Sequence, residues 1–394
     1  MDITIQPGKL HGEITVVPSK SQAHRLMIGA AFADGPTQLF CSDTNRDIEA
    51  TADCLRALGA DIQRTADGYQ ILPATHIPET AVLPCCESGS TLRFMLPIAG
   101  ALGVDTTLEL EGRLPQRPLS PLWEEMERMG CQLSRPTQAT IRCQGKLRSG
   151  AYEIDGSISS QFVTGLLYAM SLMDGDSTLT VTGKLESRPY VEMTQRAMAC
   201  FGVQTDNFCV RGGQHYHTPG KLEVEGDWSN GAFFLTAAFL GSNITVTNLN
   251  MTSPQGDRAV TKLLPLLSEG CVQIDASDIP DLVPVLSIAA GAKHGAIFHN
   301  IRRLRLKESA RVASVIAMVE NLGGKAEATE DTLHIFGTGF CGGTVDTVND
   351  HRIAMAAAIA ATVCTGPVTI LGAQCAAKSY PAFWAEYRRL GGML

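Results

Sequence analysis

Apolar and polar residues follow one another along this chain in blocks that recur at nearly even intervals. Amphipathic helix patterns end at an apolar residue, a glycine and a strand-like stretch, as in LRALGADI and ERMGCQL. Successive copies are separated by about 70 residues, except for one shorter interval. This spacing indicates a repeated structural unit. The glycines that mark the six copies are Gly59, Gly130, Gly202, Gly270, Gly323 and Gly391. We expect each to be the left-handed residue that closes a helix.

A second helix pattern runs in phase with the first. It is rich in Ala, Leu, Met and Phe, ends near a glycine and leads into a short β-rich stretch, as in LRFMLPIAGALG. The glycines at its six copies are Gly35, Gly103, Gly175, Gly241, Gly295 and Gly366. These helices are apolar nearly all round, so we expect them to be buried on most sides.

The two patterns together define a unit of apolar helix, strand, amphipathic helix and two strands. Six such units predict an α/β fold with two similar domains of three units each. Because the apolar helices must be enclosed, we expect them to lie inside, beneath outer sheets, and we do not expect an open solenoid.

Composition fits a globular protein with sizeable cores, since 44% of the 394 residues are hydrophobic and 18% are charged. The 40 acidic residues outnumber the 32 Lys and Arg, which argues against a nucleic-acid partner but leaves a small anionic ligand open. The N-terminus MDITIQPGKLHGEITV has no apolar signal region, and no apolar run is long enough to cross a bilayer. We therefore expect a cytoplasmic protein that does not bind membranes.

The twelve cysteines are expected to be reduced and mostly buried in that compartment. No CxxC pair occurs, and His215 and His217 form the one HxH sequence, in a loop rich in Gly, His and Tyr. We interpret this histidine pair as a surface turn and expect no metal site.

Basic residues gather at the first turns of the predicted helices. One cation precedes each amphipathic helix: Arg46, Arg117, Arg188, Arg258, Lys307 and Lys378. Others stand where apolar helices begin: Lys20, Arg25, Arg93 and Arg352. A cation at a helix N-terminus is unfavourable unless an anion joins it, and free backbone N–H groups with a cation bind phosphate or carboxylate. Each cation alone is better explained as a solvated surface residue, but the set indicates an anion-binding cleft between two similar domains.

Hydroxyl, amide and carboxylate groups share these turns. SISSQF offers Ser159, Ser160 and Gln161 before an apolar helix, and ESGST offers Gly89, where a ligand can approach backbone N–H groups. Asp281, at the start of an apolar helix, and Glu308, between Lys307 and Arg311, are candidates for acid–base chemistry. A helix cap for Asp281 and a surface ion pair for Glu308 explain each residue equally well.

Nine short motifs, in order and spread over nearly the whole chain, resemble the 5-enolpyruvylshikimate-3-phosphate synthase (EPSP synthase) family. They are PSKSQAHR, ESGSTLRF, QRP, SISSQF, SRPY, IPD, RLKESAR, NDHRIAM and AKSYP. The resemblance implies two domains, each of three βαβαββ units, in an inside-out α/β arrangement. It implies that residues 1–18 and 226–394 form domain 1, that residues 19–225 form domain 2, and that the active site lies in the cleft between them.

The implied reaction transfers the enolpyruvyl group of phosphoenolpyruvate to the 5-hydroxyl of shikimate 3-phosphate and releases phosphate. The resemblance implies no metal, no cofactor and no covalent enzyme intermediate, and we expect a monomer whose partners are these two small molecules. The implied catalytic residues are Asp281, Glu308 and Lys20. The implied contacts to shikimate 3-phosphate are Lys20, Ser21, Arg25, Ser159, Ser160, Gln161, Ser187, Asp281 and Lys307, with Tyr190 as a weaker candidate. The implied contacts to phosphoenolpyruvate are Lys20, Gly89, Arg117, Gln161, Arg311, Arg352 and Lys378.

The sequence departs from the family pattern at two positions. Ala310 replaces the aspartate that usually precedes the arginine, so Arg311 is expected to be held differently and the affinity for phosphoenolpyruvate is in question. Ser90 replaces the common threonine and keeps the hydroxyl.

Two alternative functions stay open. A related family transfers enolpyruvyl to UDP-N-acetylglucosamine, but it carries a reactive cysteine where this chain has GRLPQRPLSP, which contains none. The chain could also be an inactive anion-binding relative, although Asp281, Glu308 and Lys20 argue against this.

Overall fold

The chain divides into two compact units in a computed structural model that describes residues 1–394. The discontinuous unit comprises Met1–Val17 and Glu225–Leu394, and the continuous unit comprises Pro18–Val224. Each unit has its own hydrophobic core, built from apolar helices and the inner faces of strands.

Twelve α-helices and twenty strands alternate along the chain. The helices are α1 (Lys20–Ala31), α2 (Arg46–Ala57), α3 (Gly89–Leu102), α4 (Leu122–Arg128), α5 (Ser160–Ser171), α6 (Arg188–Cys200), α7 (Trp228–Phe239), α8 (Val260–Leu266), α9 (Val283–Gly291), α10 (Arg311–Asn321), α11 (His351–Ala360) and α12 (Phe383–Arg389). The strands are β1 (Ile3–Ile5), β2 (His11–Thr15), β3 (Thr37–Phe40), β4 (Asp61–Thr65), β5 (Gly68–Leu72), β6 (Thr80–Cys86), β7 (Asp105–Leu110), β8 (Cys131–Thr137), β9 (Thr140–Gly145), β10 (Ala151–Asp155), β11 (Ser177–Thr182), β12 (Cys209–Val210), β13 (Lys221–Glu223), β14 (Asn243–Thr247), β15 (Val272–Asp275), β16 (Gly295–His299), β17 (Lys325–Ala328), β18 (Thr332–Phe336), β19 (Gly343–Asp346) and β20 (Val368–Leu371). Short 3-10 helices occupy Leu114–Gln116, Gly256–Ala259, Arg302–Leu306 and Ala373–Lys378.

The repeated unit is most complete in the second and fifth copies. The second runs β6, α3, β7, α4, β8 and β9, and its sheet has the order β6-β7-β9-β8. The first two strands are parallel and the last strand of the unit pairs antiparallel with the second. The fifth copy gives the same arrangement, β15-β16-β18-β17. The helix, strand, helix and two strands of this unit are the order that the sequence pattern predicts, and the strand before them completes the βαβαββ order that the family resemblance implies.

Strands from elsewhere in the chain complete the copies at the ends of each unit. In the first copy β13 takes the first position, parallel to β3, in the sheet β13-β3-β5-β4. The fourth copy pairs β2 with β14 in parallel, and the sixth has the order β1-β20-β19. The third copy has the order β10-β11-β12.

The shorter interval in the sequence corresponds to a missing pair of strands. After α8 the chain enters β15 directly, and β15 already belongs to the fifth copy. The prediction of two further strands after the amphipathic helix is therefore wrong for the fourth copy. Too few residues separate α8 from β15 to form a hairpin.

The glycine prediction holds at five of the six marked positions. Gly59, Gly130, Gly202, Gly323 and Gly391 have φ angles between 81° and 120°, in the range that favours glycine. Gly270 does not, and the prediction is wrong there. Helix α8 contains Pro265 and ends at Leu266, and hydrogen-bonded turns then carry the chain to Gly270 without a left-handed cap.

The apolar helices are buried on nearly every side, as predicted. In α3 twelve of fourteen residues are buried, and α5 and α11 are similar. Helix α5 packs directly on α3 at Gly165, where an added Cβ would lie only 2.1 Å from the carbonyl oxygen of Arg93. Burying each Leu, Ile or Phe of such helices contributes about 1.5–3 kcal/mol to folding. No helix combines the length and the apolar character that crossing a bilayer requires.

Candidate active site

In the discontinuous unit, the guanidinium of Arg311 binds three carboxylates. Arg311 is the first residue of α10 and is fully buried. Its Nη1 lies 2.6 Å from Asp281 Oδ1, its Nη2 lies 2.5 Å from Glu308 Oε2, and its Nε lies 3.1 Å from Asp350 Oδ2. Burial opposes the charged form, but these three carboxylates outweigh it and raise the pKa of Arg311. The two predicted acid–base residues thus meet on one cation.

Asp281 lies among three cations. Besides Arg311, it is 3.3 Å from Arg352 Nη2 and 3.8 Å from Lys307 Nζ. Burial favours the neutral acid, but Arg352, Lys307 and Arg311 together hold the pKa of Asp281 well below its usual range. The carboxylate is therefore ionised at neutral pH, and an anion bound to the same cations would raise its pKa.

Arg352 has donors that no protein group uses. It is the second residue of α11, and its side chain is 6% exposed. Its Nε and Nη1 are buried and have no hydrogen-bond partner. Because an unpaired buried donor is costly, these N–H groups are available to an oxyanion. The Asp281 and Asp257 carboxylates outweigh the effect of burial and raise the pKa of Arg352, so its charge persists.

Two lysines complete the cations of this unit. Burial lowers the pKa of Lys307 to about 8, although Asp281 opposes that shift. Lys378 ends the 3-10 helix Ala373–Lys378 and donates to the Asn349 carbonyl at 3.0 Å. Lys378 is partly exposed, so its ammonium can also meet a ligand from solvent.

In the continuous unit, two arginines converge on the start of α3. A Cβ built on Gly89 would lie 2.5 Å from Arg117 Nη1 and 2.9 Å from Arg93 Nη1. Gln161 joins them, accepting from Arg93 Nη1 at 2.7 Å and donating to Ser90 Oγ at 2.9 Å. The N-terminus of α3 adds backbone N–H groups, so the cluster is suited to phosphate or carboxylate.

Lys20 begins α1 and forms an ion pair with a carboxylate. Its Nζ lies 2.8 Å from Asp47 Oδ2, and both side chains are about four-fifths buried. Ser19 caps the helix by accepting from the Gln22 N–H at 3.4 Å, and Ser21 follows Lys20 in the same turn. Asp47 therefore orients the ammonium at the helix start.

The Arg25 guanidinium forms its hydrogen bonds with residues of the continuous unit. It is 3% exposed, and it donates to Thr194 Oγ1 at 2.8 Å, to the Ser21 carbonyl at 2.7 Å and to the Tyr190 carbonyl at 3.0 Å. A fourth bond reaches Thr164 Oγ1 at 3.3 Å. Burial lowers the pKa of Arg25 to about 10, so it stays charged at neutral pH. The guanidinium thus holds α1, α5 and α6 together, whether or not it also meets a ligand.

The remaining predicted serines lie at helix starts in the same unit. Ser159 caps α5 by accepting from the Gln161 N–H at 3.3 Å, and Ser160 is the first residue of that helix and is buried. Ser187 precedes α6 in a left-handed conformation, with φ of 53°. That conformation is uncommon for serine and often marks a functional site.

Comparisons with known proteins cover nearly the whole chain. The family model for EPSP synthase (3-phosphoshikimate 1-carboxyvinyltransferase) matches residues 5–269 and 268–387. The chain belongs to the EPSP synthase family. Two proteins named 3-phosphoshikimate 1-carboxyvinyltransferase are similar to it, one from Clostridium kluyveri with 37% identity over 99% of this chain and 97% of the relative. The other, from Clostridium beijerinckii, is 36% identical over 100% of this chain and 98% of the relative.

Solved EPSP synthase structures share the fold. One, from Acinetobacter baumannii, has a TM-score of 0.81 and 23% identity, covering 99% of this chain and 98% of that chain. A second structure from the same organism has the same TM-score, with 22% identity over the full length of both chains. The predicted fold class and the predicted family are thereby confirmed.

The structure shows how Arg311 is held beside Ala310, which departs from the EPSP synthase pattern. Ala310 makes no side-chain cap at the start of α10. Asp350 nevertheless fixes Arg311 by binding its Nε. The same carboxylate accepts a hydrogen bond from Ser309 Oγ at 2.9 Å. Asp350 comes from the segment before α11, far along the chain, and thus supplies a carboxylate for this arginine.

Sequence reasoning missed three members of these clusters. Asp350 and Asp47 are partners of Arg311 and Lys20, and Arg93 was noted as a cation without being assigned to the site. Arg93 lies within the ESGSTLRF motif, four residues after Gly89, so helical spacing alone places it one turn further along α3. Neither aspartate could be matched to its cation from the sequence, because the two members of each pair are distant in the chain.

Two of the cations noted at helix starts are surface residues. Arg46 pairs with Glu111 at 3.0 Å and Arg188 pairs with Glu192 at 3.2 Å, with both arginine side chains 70% exposed. Exposed pairs of this kind contribute little to stability. His217 likewise pairs with Asp34 at the surface, as the interpretation of a surface turn predicts.

Proposed function

We propose that this chain transfers the enolpyruvyl group of phosphoenolpyruvate to the 5-hydroxyl of shikimate 3-phosphate and releases phosphate. Membership of the EPSP synthase family supports the reaction, and the relatives' name, 3-phosphoshikimate 1-carboxyvinyltransferase, describes it. The observation that carries the proposal is the contact of Asp281 with Arg311 and Arg352. A carboxylate and buried cations with unused donors are what an acid–base reaction between two anions requires.

The reaction needs one proton acceptor and one proton donor in its first step. The 5-hydroxyl oxygen forms a bond to C2 of phosphoenolpyruvate as its proton leaves, and the methylene carbon gains a proton. We assign the hydroxyl proton to Asp281 and the methylene proton to Glu308, with Lys20 assisting. The resulting tetrahedral intermediate then loses phosphate from C2 and a proton from the methyl carbon, which restores the double bond.

Binding of phosphoenolpyruvate prepares Asp281 for this role. In the free protein three cations hold its pKa too low for it to accept a proton readily. A phosphate or carboxylate on Arg311, Arg352 and Lys378 would offset part of that positive charge. The pKa of Asp281 would then rise toward the range in which a carboxylate acts as a base.

The remaining predicted residues are assigned by substrate. Arg117, Gly89 and Gln161 are proposed to bind phosphoenolpyruvate, and the two arginines beside Gly89 suit its charge. We add Arg93 to this set, because its Nη1 donates to Gln161 at 2.7 Å. The proposed contacts to shikimate 3-phosphate are Lys20, Ser21, Arg25, Ser159, Ser160, Gln161, Ser187, Asp281 and Lys307.

We also propose that the enzyme acts in the cytoplasm as a monomer and that residues of both units take part in the reaction. The twelve cysteines are all unpaired, as a reducing compartment favours. Every residue that we assign to the reaction lies in one chain, so the proposal needs no second copy.

A phosphate-release assay with each substrate alone and with both tests the function. Release only when phosphoenolpyruvate and shikimate 3-phosphate are both present is the expected result. Release with phosphoenolpyruvate alone would contradict the proposal, and release with UDP-N-acetylglucosamine as acceptor would favour the related transferase. No release under any condition would favour an inactive anion-binding protein.

A further inference from the structure

The segment before α11 contains a turn with an unusual backbone. The Asp350 N–H donates to the Thr347 carbonyl at 2.8 Å, and the two residues between them, Val348 and Asn349, have φ of 43° and 61°. Positive φ at both central positions is characteristic of a type I′ turn. We call residues 347–350 the I′ turn.

Valine is poorly suited to its position in this turn. A β-branched residue at positive φ is a rare outlier, because its Cβ crowds the backbone. The Val348 side chain is 44% exposed, so packing provides little compensation. Neighbouring bonds hold the conformation instead: Val348 N–H to Asp346 Oδ1 at 2.8 Å, and Thr347 N–H to the Leu371 carbonyl at 3.2 Å.

The I′ turn directs two acceptors toward two cationic side chains of the proposed phosphoenolpyruvate site, Lys378 and Arg311, and toward the backbone of Arg352. The Asn349 carbonyl accepts from Lys378 Nζ at 3.0 Å. Asp350, at the end of the turn, accepts from the Arg352 backbone N–H at 3.0 Å and so caps α11. The same carboxylate binds Arg311 Nε at 3.1 Å.

We propose that the I′ turn is a positioning element that sets Lys378, Arg311 and Arg352 for phosphoenolpyruvate, with Asn349 as its principal positioning residue. The inference rests on the proposed function. Strain of this kind persists where the surroundings impose it, and it concentrates at functional sites. Relaxing the turn to negative φ at Asn349 would rotate its carbonyl away from Lys378 and shift Asp350.

The test compares Asn349→Val with Asn349→Gly. The Asn349 side chain is exposed, and both variants remove it, but only glycine adopts positive φ without cost. We expect the KM for phosphoenolpyruvate to rise about tenfold in Asn349→Val and to stay within about twofold in Asn349→Gly. Asn349→Ala, with a smaller clash, should fall between them and provides a second variant if the valine protein does not fold.

A double variant shows whether the turn acts through Lys378. Lys378→Met alone removes the ammonium that the Asn349 carbonyl holds. We expect Asn349→Val to raise KM less in the Lys378→Met background than in the parent, because part of the interaction is already lost. A general loss of stability would give the same rise in both backgrounds, and thermal unfolding of each variant checks for it.

The outcomes separate this inference from the proposed function. Equal KM values for Asn349→Val and Asn349→Gly in a protein that turns over would overturn the I′ turn proposal alone. Independent effects in the double variant would overturn the claim that the turn acts through Lys378. A parent protein that neither turns over nor binds phosphoenolpyruvate in a calorimetric titration would overturn both.

Discussion

At the scale of single residues, the proposed contact of Lys307 with shikimate 3-phosphate predicts an upper pH limit for substrate binding. Its pKa of about 8 means that the folded protein loses this cation as the pH rises through 8. We therefore expect kcat/KM for shikimate 3-phosphate to fall above about pH 8, since kcat/KM reports the ionisation of the free enzyme. A pH profile of initial rates at low shikimate 3-phosphate measures it.

The matching variant is Lys307→Arg, because a guanidinium keeps its charge throughout this range. Its absolute activity will differ, since arginine has another shape, but its alkaline limb should move to higher pH. An unchanged limb near pH 8 would mean that another group is responsible.

Gly89 is a second residue whose role can be tested singly. Its backbone conformation accepts any side chain, but a Cβ would lie 2.5 Å from Arg117 Nη1. We expect Gly89→Ala to fold normally, to displace that guanidinium and to raise the KM for phosphoenolpyruvate about tenfold. Steady-state kinetics measure the effect. Gly270→Ala is the control, because no atom lies within 4 Å of its Cβ position, and an equal effect in both variants would refute the steric explanation.

At the scale of secondary-structure elements, Arg25 holds three helices of the continuous unit together. Its guanidinium bonds to α1, to Thr164 on α5 and to Thr194 on α6. We expect Arg25→Met to reduce the free energy of unfolding by about 3 kcal/mol, because it leaves buried acceptors without donors. Thermal unfolding should show a decrease in Tm of several degrees.

Arg46→Met is the control for this prediction. Arg46 begins α2 but is exposed and paired only at the surface, so its loss should change stability by less than about 0.5 kcal/mol. If the two variants lost equal stability, the distinction between a helix-joining and a surface arginine would be wrong.

The sequence predicted the secondary-structure elements better than it predicted the contacts between them. The helix patterns and their glycines predicted the repeated unit because local periodicity and helix closure are properties of neighbouring residues. The missing strands after α8 and the ordinary backbone at Gly270 were not predicted, because the pattern of the other copies was applied to a copy whose shorter interval leaves too few residues for a hairpin. Contacts such as Arg311 with Asp350 and Lys20 with Asp47 also escaped prediction, because no local pattern records which distant helix starts meet.

At the scale of the whole molecule, the predicted site residues are divided between the two units. Lys20, Gly89, Arg117 and Gln161 belong to the continuous unit, and Asp281 and Arg311 belong to the discontinuous one. Each unit builds its own cluster of cations at helix starts. The proposed function assigns both clusters to one reaction.

The most direct measurement is the turnover of Lys20→Met, Asp281→Asn and the double variant. Both side chains are about four-fifths buried and ion-paired, so thermal unfolding of each variant is measured first to establish that it folds. If the two residues act in one transition state, each single variant loses about 10²–10⁴-fold in kcat and the double variant loses little more than the worse single one. Losses that multiply in the double variant would show two independent contributions and would contradict the account.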